Sequence, residues 1–205
     1  MPGAANIEIV LFDLGGVLID IGGVPPMKKM ARIDTDEEMW RRWLTCRWVR
    51  RFERGECSPD EFANGVVDDW ALDVAPAYFL DVFRSWPGAP LPGAHELVQR
   101  VRASVPVGCL SNTNALHTDD HFSQHPIFDE FDYRFLSFEL GHVKPDRALF
   151  DRVAELVPVP PARVLFLDDN AINVEGATDA GFVARHVRGV DEARAALVAL
   201  DLVGA

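Results

Sequence analysis

The sequence predicts an α/β protein, a Rossmann-like parallel sheet covered by helices, with a small helical bundle inserted after the first strand. Three observations carry that prediction. Apolar runs at 7–12, 107–110 and 164–167 have the length and composition of strands buried on both faces, and each stops abruptly at a polar residue. From Gly93 onward such runs alternate with segments of helical periodicity, the pattern of repeated βα units joined by right-handed crossovers. Residues 20–89 read differently, as tryptophan-rich helical segments bounded by Gly- and Pro-rich stretches. The expected organisation is a core built from residues 1–19 and 90–205, interrupted by a bundle over residues 20–89.

Each element follows from local signals. The first run ends at Asp13, and Gly15 and Gly16 then let the backbone turn sharply and bring its own N–H and C=O groups to the strand end. Residues 20–26 read as a linker. Residues 35–49 open with the capping box Thr35-x-x-Glu38 and place Trp40, Trp43, Leu44 and Trp48 at helical spacing. Ser58-Pro59-Asp60-Glu61 starts a second helix with Phe62, Val66 and Trp70 on one face, and a third is expected over 76–86. Residues 87–92 form a second linker. Beyond it, Leu97, Val98 and Val101 mark a helix, 107–110 a strand ending at Ser111-Asn112, and 133–138 a strand leading to Lys144-Pro145. Asp146 is placed to cap a helix carrying Leu149, Phe150 and Val153. The run 164–167 enters Asp168-Asp169 directly, followed by a helix over 171–180, a strand over 182–186 and a last helix from Asp191.

Composition bounds the function. With 205 residues, of which 48% are hydrophobic, the chain can hold one well-cored domain plus a small insert. The formal net charge of -12 repels phosphate backbones and anionic membrane surfaces, so neither nucleic acid nor membrane is expected as a partner. Cys46, Cys57 and Cys109 are odd in number and lack CxxC spacing, which argues for reduced core residues. The N-terminal apolar run is too short for a membrane span and carries Asp13, so a cytoplasmic protein is expected.

The C-terminal ends of parallel strands share one sheet edge, where open α/β folds bind ligands. Asp13, Ser111 and Asp168-Asp169 should therefore meet there, with Lys144 in a neighbouring loop. Carboxylates gathered in this way repel one another unless a cation lies between them, and oxygen donors without His or Cys suit Mg²⁺. The same set supplies the parts of phosphoryl transfer. Asp13 can attack phosphorus to give an aspartyl-phosphate that water hydrolyses. Lys144 neutralises phosphate charge, while Ser111, Asn112 and the backbone at Gly15 and Gly16 hydrogen-bond its oxygens. Plainer readings stand beside these: an acidic pair favoured by a helix dipole, Ser111 and Asn112 as caps, and Lys144 as a loop lysine. Asn173 either orients the acidic pair or faces solvent. Arg47, Arg50, Arg51 and Arg54 form a solvated helix face or steer an anion, and His117 and His142 are local hydrogen-bonding residues.

Phe12-Asp13-Leu14-Gly15-Gly16-Val17-Leu18, Ser111-Asn112, Lys144-Pro145 and Asp168-Asp169, in that order, resemble the four motifs of the haloacid dehalogenase superfamily. The helical insert resembles the cap of its first subclass. Leu110-Ser111-Asn112-Thr113-Asn114-x-Leu116-His117 and Phe166-Leu167-Asp168-Asp169-Asn170-x-x-Asn173-x-Glu175-Gly176-Ala177 are similar to the bacterial α-D-glucose-1-phosphate phosphatase subfamily. The resemblance implies a Mg²⁺-dependent phosphatase of a small phosphorylated metabolite, such as a sugar phosphate, acting as a monomer or weak homodimer. It implies Mg²⁺ ligation by Asp13, the Gly15 carbonyl and the acidic pair, Asp169 ahead of Asp168. Most such phosphatases carry a second aspartate, a general acid and base, where this chain has Gly15. Asp20 and His117 stand near in sequence as replacements. The same departure leaves open a 2-haloacid dehalogenase and a catalytically weak phospho-ligand binder or regulator.

Overall fold

A computed structural model describes residues 6–121 and 124–204. Its centre is a five-stranded parallel sheet formed by β1 (Ile9–Phe12), β4 (Val107–Ser111), β5 (Tyr133–Leu136), β6 (Val164–Asp168) and β7 (Val183–His186). The strand order is β5-β4-β1-β6-β7, so β1 is central, pairing with β4 on one side and β6 on the other. Every residue of β1, β4 and β6 is buried, as their unbroken apolar runs require. Helices α6 (Ala94–Arg102) and α11 (Gly189–Val198) cover one face, where Val10 and Phe12 meet Leu97, Val101, Ala193 and Leu197. Helices α9 (Arg147–Leu156) and α10 (Ala171–Asp179) cover the other, where Ile9 and Leu11 meet Leu149, Phe150, Val153 and Ala177. The register sets Phe12 beside Cys109 and Leu167, which brings the next residues, Asp13, Leu110-Ser111 and Asp168, to the same edge.

Between β1 and α6 lie five helices: α1 (Val24–Ala31), α2 (Asp36–Thr45), α3 (Arg47–Glu53), α4 (Pro59–Trp70) and α5 (Pro76–Arg84). They share an apolar cluster of their own, centred on Trp43, whose ring meets Phe62, Trp70, Phe83 and Trp86 at 4.5–6.2 Å between centroids. Rigid aromatic rings give so small a layer much buried area at little conformational cost. Of the capping box expected at Thr35, the Thr35 side chain accepts from the Glu38 N–H without the return bond from Glu38, whereas Ser58 and Glu61 make a full reciprocal box.

Several details differ from the sequence reading. The two linkers are partly ordered: β2 (Ile19–Ile21) and β3 (Pro87–Pro90) pair as an antiparallel ribbon, the two-way crossing to the helices. Pro25 and Pro26 sit in the first turn of α1, where their missing N–H groups have no helical partner to lose. The expected 35–49 helix is two helices, because Cys46 adopts an extended ψ of 122° between α2 and α3. The strand expected at 133–138 gives way after Leu136 to the short helix α8 (Ser137–Leu140), and α7 (Ala115–His121) follows β4. Asp146 stands at the N-cap of α9 as expected, but its carboxylate makes no cap hydrogen bond and accepts from Arg50 and Arg54 instead. Among the described residues no helix is long and apolar enough to cross a membrane.

One glycine ties helix packing to the strand-end loops. A Cβ at Gly176 on α10 would stand 2.7 Å from the Pro145 carbonyl oxygen and 3.1 Å from the Phe150 ring, so α10 approaches the Lys144-Pro145 loop only without a side chain there. Replacing Gly176 by Ala should therefore destabilise the protein by about 1–3 kcal/mol through overpacking, despite the roughly 1 kcal/mol that Ala gains in helix propensity. Urea unfolding of Gly176→Ala measures this, and an unchanged or higher midpoint contradicts it.

Candidate active site

The fold delivers Asp13, Ser111, Lys144, Asp168 and Asp169 to one place, as their positions at strand ends predict. Lys144 is 2% exposed, and its Nζ lies 2.9 Å from Asp13 Oδ1 and 2.7 Å from Asp168 Oδ2. Burial works against the ammonium charge, but Asp13 and Asp168 outweigh it and hold the Lys144 pKa above its ordinary value. The lysine is thus fixed as a cation at the strand end. Its backbone is fixed as well: Asn112 Nδ2 donates to the Lys144 carbonyl at 3.0 Å, and the Lys144 N–H donates back to Asn112 Oδ1 at 2.8 Å. The Asn112 side chain therefore braces the lysine loop, a role its place beside Ser111 did not disclose. Ser137 does the same for the adjoining turn, exchanging hydrogen bonds with the Thr113 N–H and C=O.

The two members of the acidic pair play different structural parts. Asp168 is fully buried and saturated: it accepts from Lys144 Nζ, from the Asn170 N–H at 2.8 Å, and from Asn173 Nδ2 at 3.1 Å on each oxygen. Asn173 accordingly faces the acidic pair, not solvent. Asp169 lines the open cavity with Asp13, and His186 Nε2 donates to its backbone carbonyl at 2.8 Å. Its carboxylate lies over Gly16, where a Cβ would come within 2.3 Å of Oδ2, and Gly16 holds φ at +73°. Glycine is required there twice over, by conformation and by contact. The Gly16 N–H is engaged by the Ile19 carbonyl at 2.9 Å, so this amide is turned away from an incoming anion. The Asp13 Oδ1 accepts from the Leu14 N–H at 2.8 Å, and Ser111 Oγ makes a long 3.5 Å contact to the Asn112 carbonyl.

One carboxylate oxygen from each of Asp13, Asp168 and Asp169 lies within 4.8 Å of the others. Burial pushes the Asp13 carboxyl up, Asp168 and Asp169 repel its charge in the same direction, and Lys144 opposes them without winning. Asp169 is raised too, by burial and by Asp168. The all-oxygen donor set and its excess of negative charge fit a hard divalent cation such as Mg²⁺. Asp13 and Asp169 are the donors that face the cavity, with Gly15 also on its wall.

The cavity, about 940 Å³, is bounded by the sheet edge on one side and the helical insert on the other. Trp40, Trp43 and Trp86 supply apolar walls, and Asp20, Asn114, His117 and Glu53 supply polar ones. His117 is held in place, its Nε2 2.8 Å from the Phe83 carbonyl and its Nδ1 3.2 Å from Asn114 Nδ2. Since a carbonyl only accepts, the ring carries its proton on Nε2. His142, on the loop before Lys144, is partly buried. Of the arginines expected on a solvated face, Arg47 pairs with Asp69 at the surface, whereas Arg50 and Arg54 turn inward to Asp146 at 2.6–2.8 Å. Sequence reasoning passed over Glu53. The signal was present, a carboxylate four residues after buried Val49 and next to buried Phe52, on the inward side of a short helix.

A family description, haloacid dehalogenase-like hydrolase, matches residues 7–181. The D-ribitol-5-phosphate phosphatase of Bacteroides thetaiotaomicron is 29% identical over 189 residues, covering 86% of this chain and 89% of that protein. The pyrimidine 5'-nucleotidase YjjG of Escherichia coli is 28% identical over 141 residues, 65% of this chain and 62% of the relative. A crystal structure of a family enzyme from Bacteroides thetaiotaomicron in complex with magnesium and inorganic phosphate superposes with a TM-score of 0.70 at 25% identity, covering 89% of this chain and 94% of that one.

The electrostatics make a stability prediction. Because the folded Asp13 is raised from 3.8 to about 7, its ionisation opposes folding, and that opposition develops as pH rises between those values. In metal-free protein Asp13→Asn should match wild type near pH 4 and melt higher by a few degrees, on the order of 2–4 °C, at pH 8. A lower melting temperature for the variant at pH 8 contradicts the assignment of strain to this carboxylate.

Proposed function

The chain belongs to the haloacid dehalogenase-like hydrolases and is a phosphoric monoester hydrolase, and on that premise we propose that it is a Mg²⁺-dependent phosphatase of a small sugar or polyol phosphate, with Asp13 as nucleophile. The observation that carries this reading is the sharing of Lys144 between Asp13 and Asp168 beneath a cavity also lined by Asp169 and Ser111. Asp13 Oδ attacks phosphorus, the bond from phosphorus to the substrate oxygen breaks, and water then hydrolyses the aspartyl-phosphate to inorganic phosphate. Lys144 carries a fixed positive charge to the phosphoryl oxygens, and the Ser111 hydroxyl donates to them. Asp13, the Gly15 carbonyl and Asp169 would hold Mg²⁺, which supplies charge neutralisation between nucleophile and phosphoryl group. Asp168 keeps Lys144 in place. The magnesium and phosphate in the related crystal structure, and the phosphatase activity in the relatives' names, support this reading.

The cavity bounds the substrate class. Its volume suits a small metabolite, and residues 20–89 are placed as a cap that excludes water while the phosphate end is held at the sheet. Asp20 and Asn170 on the cavity wall offer hydrogen-bonding groups to ligand hydroxyls. Glucose 1-phosphate and ribitol 5-phosphate both offer such hydroxyls. A haloacid fits poorly, because its carboxylate would face Asp13 and Asp169 across the same cavity.

Phosphate release from glucose 1-phosphate, ribitol 5-phosphate and a pyrimidine nucleoside 5'-monophosphate tests the proposal. Turnover should require Mg²⁺, vanish with EDTA and return when Mg²⁺ is restored. Asp13→Asn should lower it by more than about 10⁴-fold. Activity that survives EDTA, or an active Asp13→Asn protein, contradicts the mechanism.

A further inference from the structure

Gly15 leaves the chain without a carboxyl two residues beyond the nucleophile, yet alkoxide departure from a sugar or polyol phosphate calls for a proton. We infer that Glu53, carried by the helical insert, is the general acid and base of this site. The inference rests on the phosphatase reading and adds to it the group that moves the proton.

Geometry places the residue. Glu53 ends α3, and its neighbours on either side anchor that helix to the sheet edge: Arg50 Nη2 lies 2.6 and 2.8 Å from the two Asp146 oxygens, and Arg54 Nη2 lies 2.8 Å from Oδ2. Asp146 is two residues beyond Lys144, so this double clamp draws the end of α3 down onto the loop that holds the catalytic lysine. Gly55, at φ +71°, completes the approach, since a Cβ there would stand 2.8 Å from the Phe138 carbonyl oxygen of the core. Between these anchors Glu53 lines the same cavity as Asp13, Ser111, Lys144 and Asp169, on the wall that the helical insert supplies. A leaving oxygen in line with Asp13 points away from the sheet, toward that wall.

The surroundings also suit proton exchange near neutral pH. Burial raises the Glu53 carboxyl to about 7; Lys144, Arg50 and a hydrogen bond from the Trp43 indole pull against that rise, and Asp13 adds to it. Those are the groups facing it from the sheet edge, from its own helix and from α2. The other candidates serve less well. His117 has its proton on Nε2, directed to the Phe83 carbonyl, and accepts from Asn114 at Nδ1. Asp20 is exposed on the ribbon. In the first step Asp13 Oδ bonds to phosphorus, the bond from phosphorus to the leaving oxygen breaks, and the Glu53 proton passes to that oxygen to give the alcohol. In the second, water attacks phosphorus, its proton returns to Glu53, and the bond to Asp13 breaks.

The test compares leaving groups, using kcat/KM because it reports the steps through the first transfer. For Glu53→Gln, kcat/KM on the best sugar or polyol phosphate should fall by about 10²-fold or more, while p-nitrophenyl phosphate, whose leaving group departs as a stable anion, should change less than about threefold. In the wild type, kcat/KM for the sugar phosphate should decline on the basic side of a pKa near 7, and that limb should be absent for p-nitrophenyl phosphate; this measurement stands even if the variant does not fold. Equal losses on both substrates, no loss on either, or a basic limb common to both would overturn the assignment of Glu53 alone. A wild type that hydrolyses neither substrate with Mg²⁺ would overturn the phosphatase reading, and this inference with it.

Discussion

One buried ammonium sets the terms for everything at the sheet edge. Lys144 lies between Asp13 and Asp168 with almost no solvent contact, and a cation so placed persists because carboxylates stand within hydrogen-bonding distance of it. Its charge does not neutralise the cluster, because Asp169 adds a third carboxylate. The excess is what a divalent ion would offset. Removing Lys144 would leave the clustered carboxylates without their cation, an uncompensated buried charge that typically costs about 3–5 kcal/mol. The bracing seen around it follows: Asn112 grips the lysine backbone, Asn173 and the Asn170 N–H saturate Asp168, and Gly176 lets α10 press on the lysine loop. Rigid support of this kind is what a preorganised electrostatic site requires.

The division of labour within the acidic pair has the same origin. Asp168 spends its oxygens on protein donors and anchors the lysine, while Asp169 stays at the cavity because Gly16 clears the space beneath it. The helical insert brings the complementary half. Its Arg50 and Arg54 reach Asp146, beside the lysine loop, so the position of the insert and the position of Lys144 are mechanically linked. Closure over a substrate and assembly of the catalytic groups would then be one event.

Much of this was legible in the chain because it rests on local signals. A run such as Val164-Leu165-Phe166-Leu167 can be buried on both faces only in a covered parallel sheet, and a parallel sheet puts Asp13, Ser111 and Asp168 on one edge. The capping boxes at Thr35 and Ser58 likewise marked helix starts that the structure contains. What escaped were contacts between segments distant in sequence. The β2–β3 ribbon joins residues 19–21 to 87–90, and proline-rich stretches give no periodicity from which such pairing follows. Asp146 looked like a cap because its partners lie 92 and 96 residues earlier. Glu53 was hidden among arginines for the same reason: only tertiary placement separates an inward carboxylate from a solvated one. The family resemblance read from the four motifs holds across residues 7–181.

The central claim is that Asp13 and Asp169 share a divalent ion while Asp168 holds Lys144, leaving Asp13 free to take the phosphoryl group. A crystal structure with Mg²⁺ and beryllium trifluoride, a mimic of the phosphorylated aspartate, tests it most directly. The account predicts the trifluoroberyllate on the Asp13 carboxylate, Mg²⁺ ligated by Asp13, the Gly15 carbonyl and Asp169, and Lys144 still paired with Asp168. An ion bound elsewhere, or a mimic seated on any residue but Asp13, would contradict it.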